Sequence, residues 1–272
     1  MLSYLKYKMQ EEGCIKWICI CVILENLIFS FWKDLRQHVT VFEAILITLS
    51  DKLLLSTAIT LPVFLIASNC YSINNQELQI IFRVKNSRTW FWYNQIYMIC
   101  MVSIYIIVCI VIFAIVGILH NMSRSAKWSE AAYYLQLNPV GGIDYTGFPF
   151  ETLILNKNNP IISVGAGLIL LFLRCVFFLE IQCYISLLSS RLSIGQIVAT
   201  VFNYIDVFFY NVFFNSRFGV LPHEHSIITC IDGQRPSILI SFIYWIIIIM
   251  SVVVLQYINT DNITERIKKA AE

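Results

Sequence analysis

Four ionisable residues stand inside long apolar stretches: Glu25, Arg174, Glu180 and Asp206. A charge at membrane depth is costly, so it normally faces a bundle interior, a partner charge or water. Arg174 and Glu180 lie about 120° apart around a helix, so they do not pair locally. Their partners must come from other elements, and Arg174 with Asp206 or Glu25 is the expected pairing. Asn203, Asp206 and Tyr210 recur at helical spacing and form one polar stripe. These groups either hold a helical bundle together or line a substrate or proton path. No ladder of acidic residues continues along the apolar stretches, which favours the structural role.

Other chemistry is sparse. The chain has no G-x-x-x-x-G-K-[ST] phosphate loop, no H-E-x-x-H and no G-x-S-x-G. It therefore reads as a non-enzyme without a cofactor of its own. Pro222-His223-Glu224-His225 is the densest cluster of metal-ligand type. No spacing around it matches a known ligand pattern, so His223 and His225 are expected to be solvated loop residues and no metal site is assigned. The nine cysteines contain no C-x-x-C pair. Most lie in apolar runs, where a free thiol behaves as a small hydrophobe.

These residues are positioned by an unusually apolar chain. Of 272 residues, 58% are hydrophobic and 13% charged, and the mean hydropathy is +0.72. A soluble domain carries about 25% charged residues. That gap excludes an ordinary cytosolic enzyme, a disordered chain and a nucleic-acid binder. A membrane-spanning helix needs about 20 mainly apolar residues. Six stretches qualify: Cys14–Trp32, Leu53–Ile73, Trp92–Leu119, Ile161–Leu188, Ile194–Phe214 and Ser237–Ile258. They are continuous and not alternating, so helices are expected, not a barrel. The expected fold is an all-α membrane protein, one transmembrane domain over residues 1–272 with six spans. No small-residue cleavage site follows the first apolar run, which reads as a retained span.

Loop charges orient the spans. Lys6, Lys8, Lys16, Arg83, Lys85, Arg88, Arg191, Arg266, Lys268 and Lys269 fall on the side shared by both termini. Lys33, Arg36, Lys52, Arg124, Lys127, Lys157, Arg217 and Arg235 fall on the other. The first set is larger and lies close to the span ends, where the rule applies best. Both termini are thus expected in the cytosol of a cell whose plasma membrane holds the protein. Leu2–Gly13 is short and partly apolar and carries Lys6 and Lys8, as an interfacial helix would. Val39–Leu49 is an amphipathic piece in an outer loop. The loop His120–Asn159 carries the turn signals Asn138-Pro139, Gly141-Gly142, Pro149 and Asn159-Pro160.

The segment Asn74–Trp92 is the most informative stretch. Leu78, Ile81 and Phe82 share one helical face, and Arg83, Lys85 and Arg88 supply a basic cluster. Such a helix can lie in the membrane interface or dock in a groove on a soluble partner. Trp90, Phe91, Trp92 and Tyr93 come next as an interfacial aromatic belt.

This layout resembles the permease subunits of export-type (type-2) ABC transporters. That family has an amphipathic N-terminal helix, six spans, and a cytosolic coupling helix between the second and third. The local match is Glu77 at the start of the coupling segment and Ser87-Arg88 near its end. Where the family often has a following Lys, this chain has Tyr93-Asn94-Gln95. The long loop His120–Asn159 looks more like the permeases of bacterial peptide-antibiotic export and immunity systems. The resemblance implies two paired permease subunits, homo- or heterodimeric, and separate ATPase subunits that carry ATP and Mg. It implies docking through Glu77, Leu78, Ile81, Phe82, Arg83, Lys85, Ser87 and Arg88. It also implies a substrate cavity built from the first, second and fifth spans. A secondary transporter or channel, marked by a broken midplane helix, stays open as an alternative, with Gly165 and Gly167 as weak candidates for the break. An intramembrane enzyme and a non-transport scaffold are further alternatives.

Overall fold

The computed structural model describes residues 40–50, 59–66, 87–119, 122–130, 159–189, 191–212, 222, 225–226 and 237–271. Among them lie helices α1 (Val41–Ser50), α2 (Leu61–Ile66), α3 (Ser87–Leu119), α4 (Pro160–Ser189), α5 (Leu192–Val212) and α6 (Ile238–Ala271). The described residues form no strand beyond one isolated bridge, Thr40 to Ser123. Three helical segments are long and apolar enough to cross a membrane: Ser87–Leu119, Pro160–Ser189 and Ile238–Asp261. Within α5, Ser193–Phe209 is a shorter apolar helix. The expected spans Trp92–Leu119, Ile161–Leu188 and Ser237–Ile258 thus fall on α3, α4 and α6, and Ile194–Phe214 falls on α5 as far as Val212, where that described stretch ends. Cys14–Trp32 lies outside the described residues, and Leu53–Ile73 is described only over residues 59–66.

Local chemistry sets the helix ends. Asn159 caps α4: its side-chain oxygen accepts from the Ile161 N–H at 3.0 Å, and Pro160 takes the first helical position, where its missing N–H costs nothing. Ser237 caps α6 by accepting from the Ile240 N–H at 3.3 Å. At the far end of α3 the Met122 N–H bonds the Gly117 carbonyl at 3.0 Å, a six-to-one closure of the last turn. Within the helices, Ser103, Ser251 and Thr260 return their hydroxyls to carbonyls one turn back. Polar groups in apolar surroundings are satisfied this way.

Helix α4 is central and packs against every other described helix. Its apolar window is 56% buried, against 11% for that of α6, so α6 presents most of its surface outward. Ile243, Ile246, Ile247, Met250, Val254 and Ile258 are exposed there. A bare aliphatic face of this kind suits lipid and not water.

Helices α4 and α5 form a tight hairpin. At Gly195 an added Cβ would collide with the Ser186 hydroxyl, the Gln182 carbonyl and the Ser186 amide. Only glycine allows the two backbones this close. Gly165 and Gly167, considered as sites of a break, lie within the unbroken helix α4. Among the described residues, irregular backbone occurs where a π turn at Ile59–Thr60 leads into α2, which contains Pro62. Proline removes a helix donor and crowds the preceding turn. The Ile59 carbonyl accepts from the Tyr105 hydroxyl of α3 at 3.0 Å. The Phe64 carbonyl accepts from the Gln182 side-chain amide of α4 at 3.0 Å.

Two expectations need correction. Val39–Leu49 reads as an amphipathic surface piece, yet α1 is wedged into the bundle: Val41, Ala44, Ile45, Leu46 and Leu49 are all buried, as are the polar Thr40, Glu43 and Thr48. The polar face is internal because its groups find partners there. The helix that carries the third expected span begins before the apolar run. Ser87 and Arg88 belong to the first turn of α3, and Trp90 and Phe91 turn into the bundle, while Trp92 remains half exposed. The aromatic belt is therefore partly internal.

Candidate functional site: polar nodes within the helical bundle

The first node joins α4 to α5. Arg174 is fully buried. Its Nη1 lies 3.3 Å from Asp206 Oδ2 and donates to the Ser226 hydroxyl at 2.9 Å. Its Nη2 donates to Asn203 Oδ1 at 2.7 Å, and its guanidinium lies 5.0 Å from the Phe178 ring centre. Asn203 and Asp206 are both buried and lie on one face of α5, three residues apart, which is why one guanidinium reaches both. The expected pairing of Arg174 with Asp206 is present. Glu25 lies outside the described residues, and of Tyr210 only the helical backbone is described.

Arg174 also fastens the chain ahead of α6. Ser226 donates to the Pro222 carbonyl at 2.8 Å. His225 stacks on Tyr244 with ring centres 3.8 Å apart, and its Nδ1 lies 3.1 Å from the Ser241 hydroxyl. The Trp245 indole donates to the His225 carbonyl at 3.1 Å. His225 is thus buried, not a solvated loop residue: a flat ring with two polar atoms fills a slot walled by Tyr244. Among the described residues no three His, Cys, Asp or Glu side chains gather to hold a metal ion. His223 lies outside them.

The second node joins α3, α4 and α6. Glu180 Oε2 accepts from Gln95 Nε2 at 3.1 Å and from Gln256 Nε2 at 2.6 Å. Gln256 Nε2 also reaches the Glu180 carbonyl at 2.9 Å, and Gln95 Nε2 lies 3.1 Å from Gln256 Oε1. All three side chains are buried. Glu180 is apparent in the sequence as an ionisable residue in an apolar run. Gln95 and Gln256 are less conspicuous, although neutral amides in spans of such composition are themselves a signal.

The third node joins α1 to the segment after α3. Thr40 and Glu43 form a reciprocal capping box: Glu43 N–H to Thr40 Oγ1 at 3.2 Å, and Thr40 N–H to Glu43 Oε2 at 2.7 Å. Glu43 Oε1 accepts from the Ser129 N–H at 2.6 Å. The Val41 N–H bonds the Ser123 carbonyl at 3.0 Å. The sequence signal for this node is the Thr-x-x-Glu pattern before an apolar run, which marks a helix start.

At the opposite end of the bundle, Ser87 donates to Asp261 of α6. Arg88 lies 3.9 Å from the same carboxylate, both side chains being exposed, and its guanidinium sits 5.1 Å from the Tyr257 ring centre. Of the segment expected to dock a partner, these two residues are described. Glu77, Leu78, Ile81, Phe82, Arg83 and Lys85 lie outside the described residues.

These features define a helical bundle whose apolar helices are of membrane-spanning length and whose polar groups are gathered in its interior. Comparison with protein-family models, with curated proteins and with solved structures finds no match.

Proposed function

We propose that the chain is the permease subunit of an ATP-driven exporter of the type-2 ABC class, multi-pass in the cell membrane with both termini cytosolic. Six spans, paired with those of a second permease subunit, would enclose an apolar cavity for a peptide, lipid-like or drug-like molecule. ATP and Mg would be held by separate ATPase subunits, and this chain would catalyse nothing itself. One observation supports the reading above others. Ser87 and Arg88, the last two residues of the docking segment, form the first turn of a helix of 33 residues, about 50 Å long. Its first turn is fastened to α6 through Asp261. A push on that segment would move α3 and α6 together, as a lever must.

The test is co-purification in mild detergent. Charge reversal at Arg83, Lys85 and Arg88 should abolish association of an ATPase subunit and leave membrane insertion intact. Unchanged association would sink the docking role.

A second reading, a secondary transporter or channel, has its own supporting observation: the π turn and Pro62 whose flanking carbonyls are held by Tyr105 and Gln182. Irregular backbone of this kind lines pathways in such proteins. Transport by the purified chain alone, driven by an ion gradient and indifferent to ATP, would favour it over the exporter.

A further inference from the structure

The two buried acids of α4 and α5 are treated differently. Asp206 has a cation, Arg174, at 3.3 Å. Glu180 is equally buried, and among the described residues no Arg, Lys or His pairs with it. Its side-chain partners among them are two neutral amides. An uncompensated carboxylate in an apolar bundle is strongly disfavoured. Two amide donors on one oxygen offset part of that penalty and leave the net charge in place. A proton would remove it.

We propose that Glu180 is an intramembrane proton-binding site, and that its protonation loosens the joint between α3, α4 and α6. The step is simple: the carboxylate takes H⁺ from water and becomes a neutral acid. The geometry links that proton to the joint. Gln256 Nε2 sits against two acceptors, Glu180 Oε2 and the Glu180 carbonyl. Gln95 Nε2 likewise sits between Glu180 Oε2 and Gln256 Oε1. Both amides therefore point nitrogen-first at a charged acceptor. Neutralising Glu180 halves the reason for that arrangement, since hydrogen bonds to charged groups are about twice as strong as neutral ones.

Among the described residues, the surroundings contain little that would compete. Gln95 faces Glu180 from α3 and Gln256 from α6. On its own helix the nearest charge is Arg174, about 9 Å along the axis, engaged with Asp206 and Asn203 of α5. Cys183 lies against Met98, and Tyr184 bonds Asn259. The Arg88–Asp261 pair closes the end of α3 and α6, with Tyr257 beside it. Helix α1 brings Glu43, committed to its cap, and α2 carries no titratable residue. Tyr204 of α5 is exposed on the outer surface.

The experiment uses the full chain in lipid vesicles. Infrared difference spectra are taken between about pH 5 and about pH 9, the span over which buried glutamates titrate. The expected result is a protonated-carboxyl carbonyl band at the acid end that Glu180→Gln abolishes. Labelling by a hydrophobic carbodiimide, which attacks the protonated acid, should fall about tenfold per pH unit above the midpoint, and Gln95→Leu should shift that midpoint upward. Absence of a Glu180-dependent band at either end would overturn the proposal. So would a band that sodium removes at constant pH and choline does not, since the site would then hold an alkali cation. Neither readout involves an ATPase, so failure here leaves the exporter reading standing, and the reverse also holds.

Discussion

Removing one partner of the Arg174–Asp206 pair tests the bundle's internal logic most directly. The charges lie 3.3 Å apart, and at an effective dielectric of about 20 their attraction is about 5 kcal/mol. Arg174→Met discards that attraction and strands Asp206, whose side chain is 1% exposed. Stranding a buried charge costs about 3–5 kcal/mol, a shift of a hundredfold to a few thousandfold in the folded-to-unfolded ratio. Asp206→Leu strands Arg174 and should cost a similar amount. The double variant removes both charges. It leaves Asn203 and Ser226 each short of one donor, about 1 kcal/mol apiece, so its total cost should be about 2 kcal/mol. The assay is equilibrium unfolding in lipid–detergent micelles, run as a double-mutant cycle. A double variant as unstable as the sum of the singles, with coupling below about 0.5 kcal/mol, would refute the claim that the pair acts as a unit.

Two other perturbations have definite outcomes. Gly195→Ala places a methyl group against the α4 backbone at Gln182 and Ser186, which cannot yield as a side-chain tip would. It should cost about 1–3 kcal/mol, seen as a lower thermal midpoint; a midpoint equal to wild type would mean the helices are further apart in solution. Glu43→Ala removes both the cap on Thr40 and the tie to Ser129. The amides of Thr40 and Ser129 should exchange with deuterium at least about tenfold faster, as expected for about 1.4 kcal/mol of lost protection, and unchanged exchange would exclude the clasp.

Much of the architecture was legible from composition. Continuous apolar runs announce helices because only helices and closed barrels satisfy a backbone in lipid and a barrel strand would alternate, and α3, α4, α5 and α6 lie where those runs lie. Arg174 with Asp206 was also legible, because a buried cation needs an anion and few were on offer. Other features left weaker traces. Gln95 and Gln256 are uncharged, so no cost argument singles them out until they are seen around Glu180. His225 looked like a loop residue because Pro222–His225 is polar, while its burial depends on Tyr244, Ser241 and Trp245 arriving from another helix. The polar side of α1 implied a surface, when its partners Ser123 and Ser129 come from beyond α3.

The sequence by itself determined that this chain is helical and rich in stretches of membrane-spanning length, since that depends on local polarity summed along the chain. Beyond the Arg174–Asp206 pair, which charge alone suggested, the tertiary structure decided which polar groups meet. Arg174 also finds Asn203 and Ser226; Glu180 finds Gln95 and Gln256; Glu43 finds Ser129. In an apolar interior each polar group must find a partner, and which one it finds depends on helix rotation and register. Those are set by contacts between segments distant in sequence, such as Tyr105 with the Ile59 carbonyl and Gln182 with the Phe64 carbonyl, which no single stretch of sequence contains.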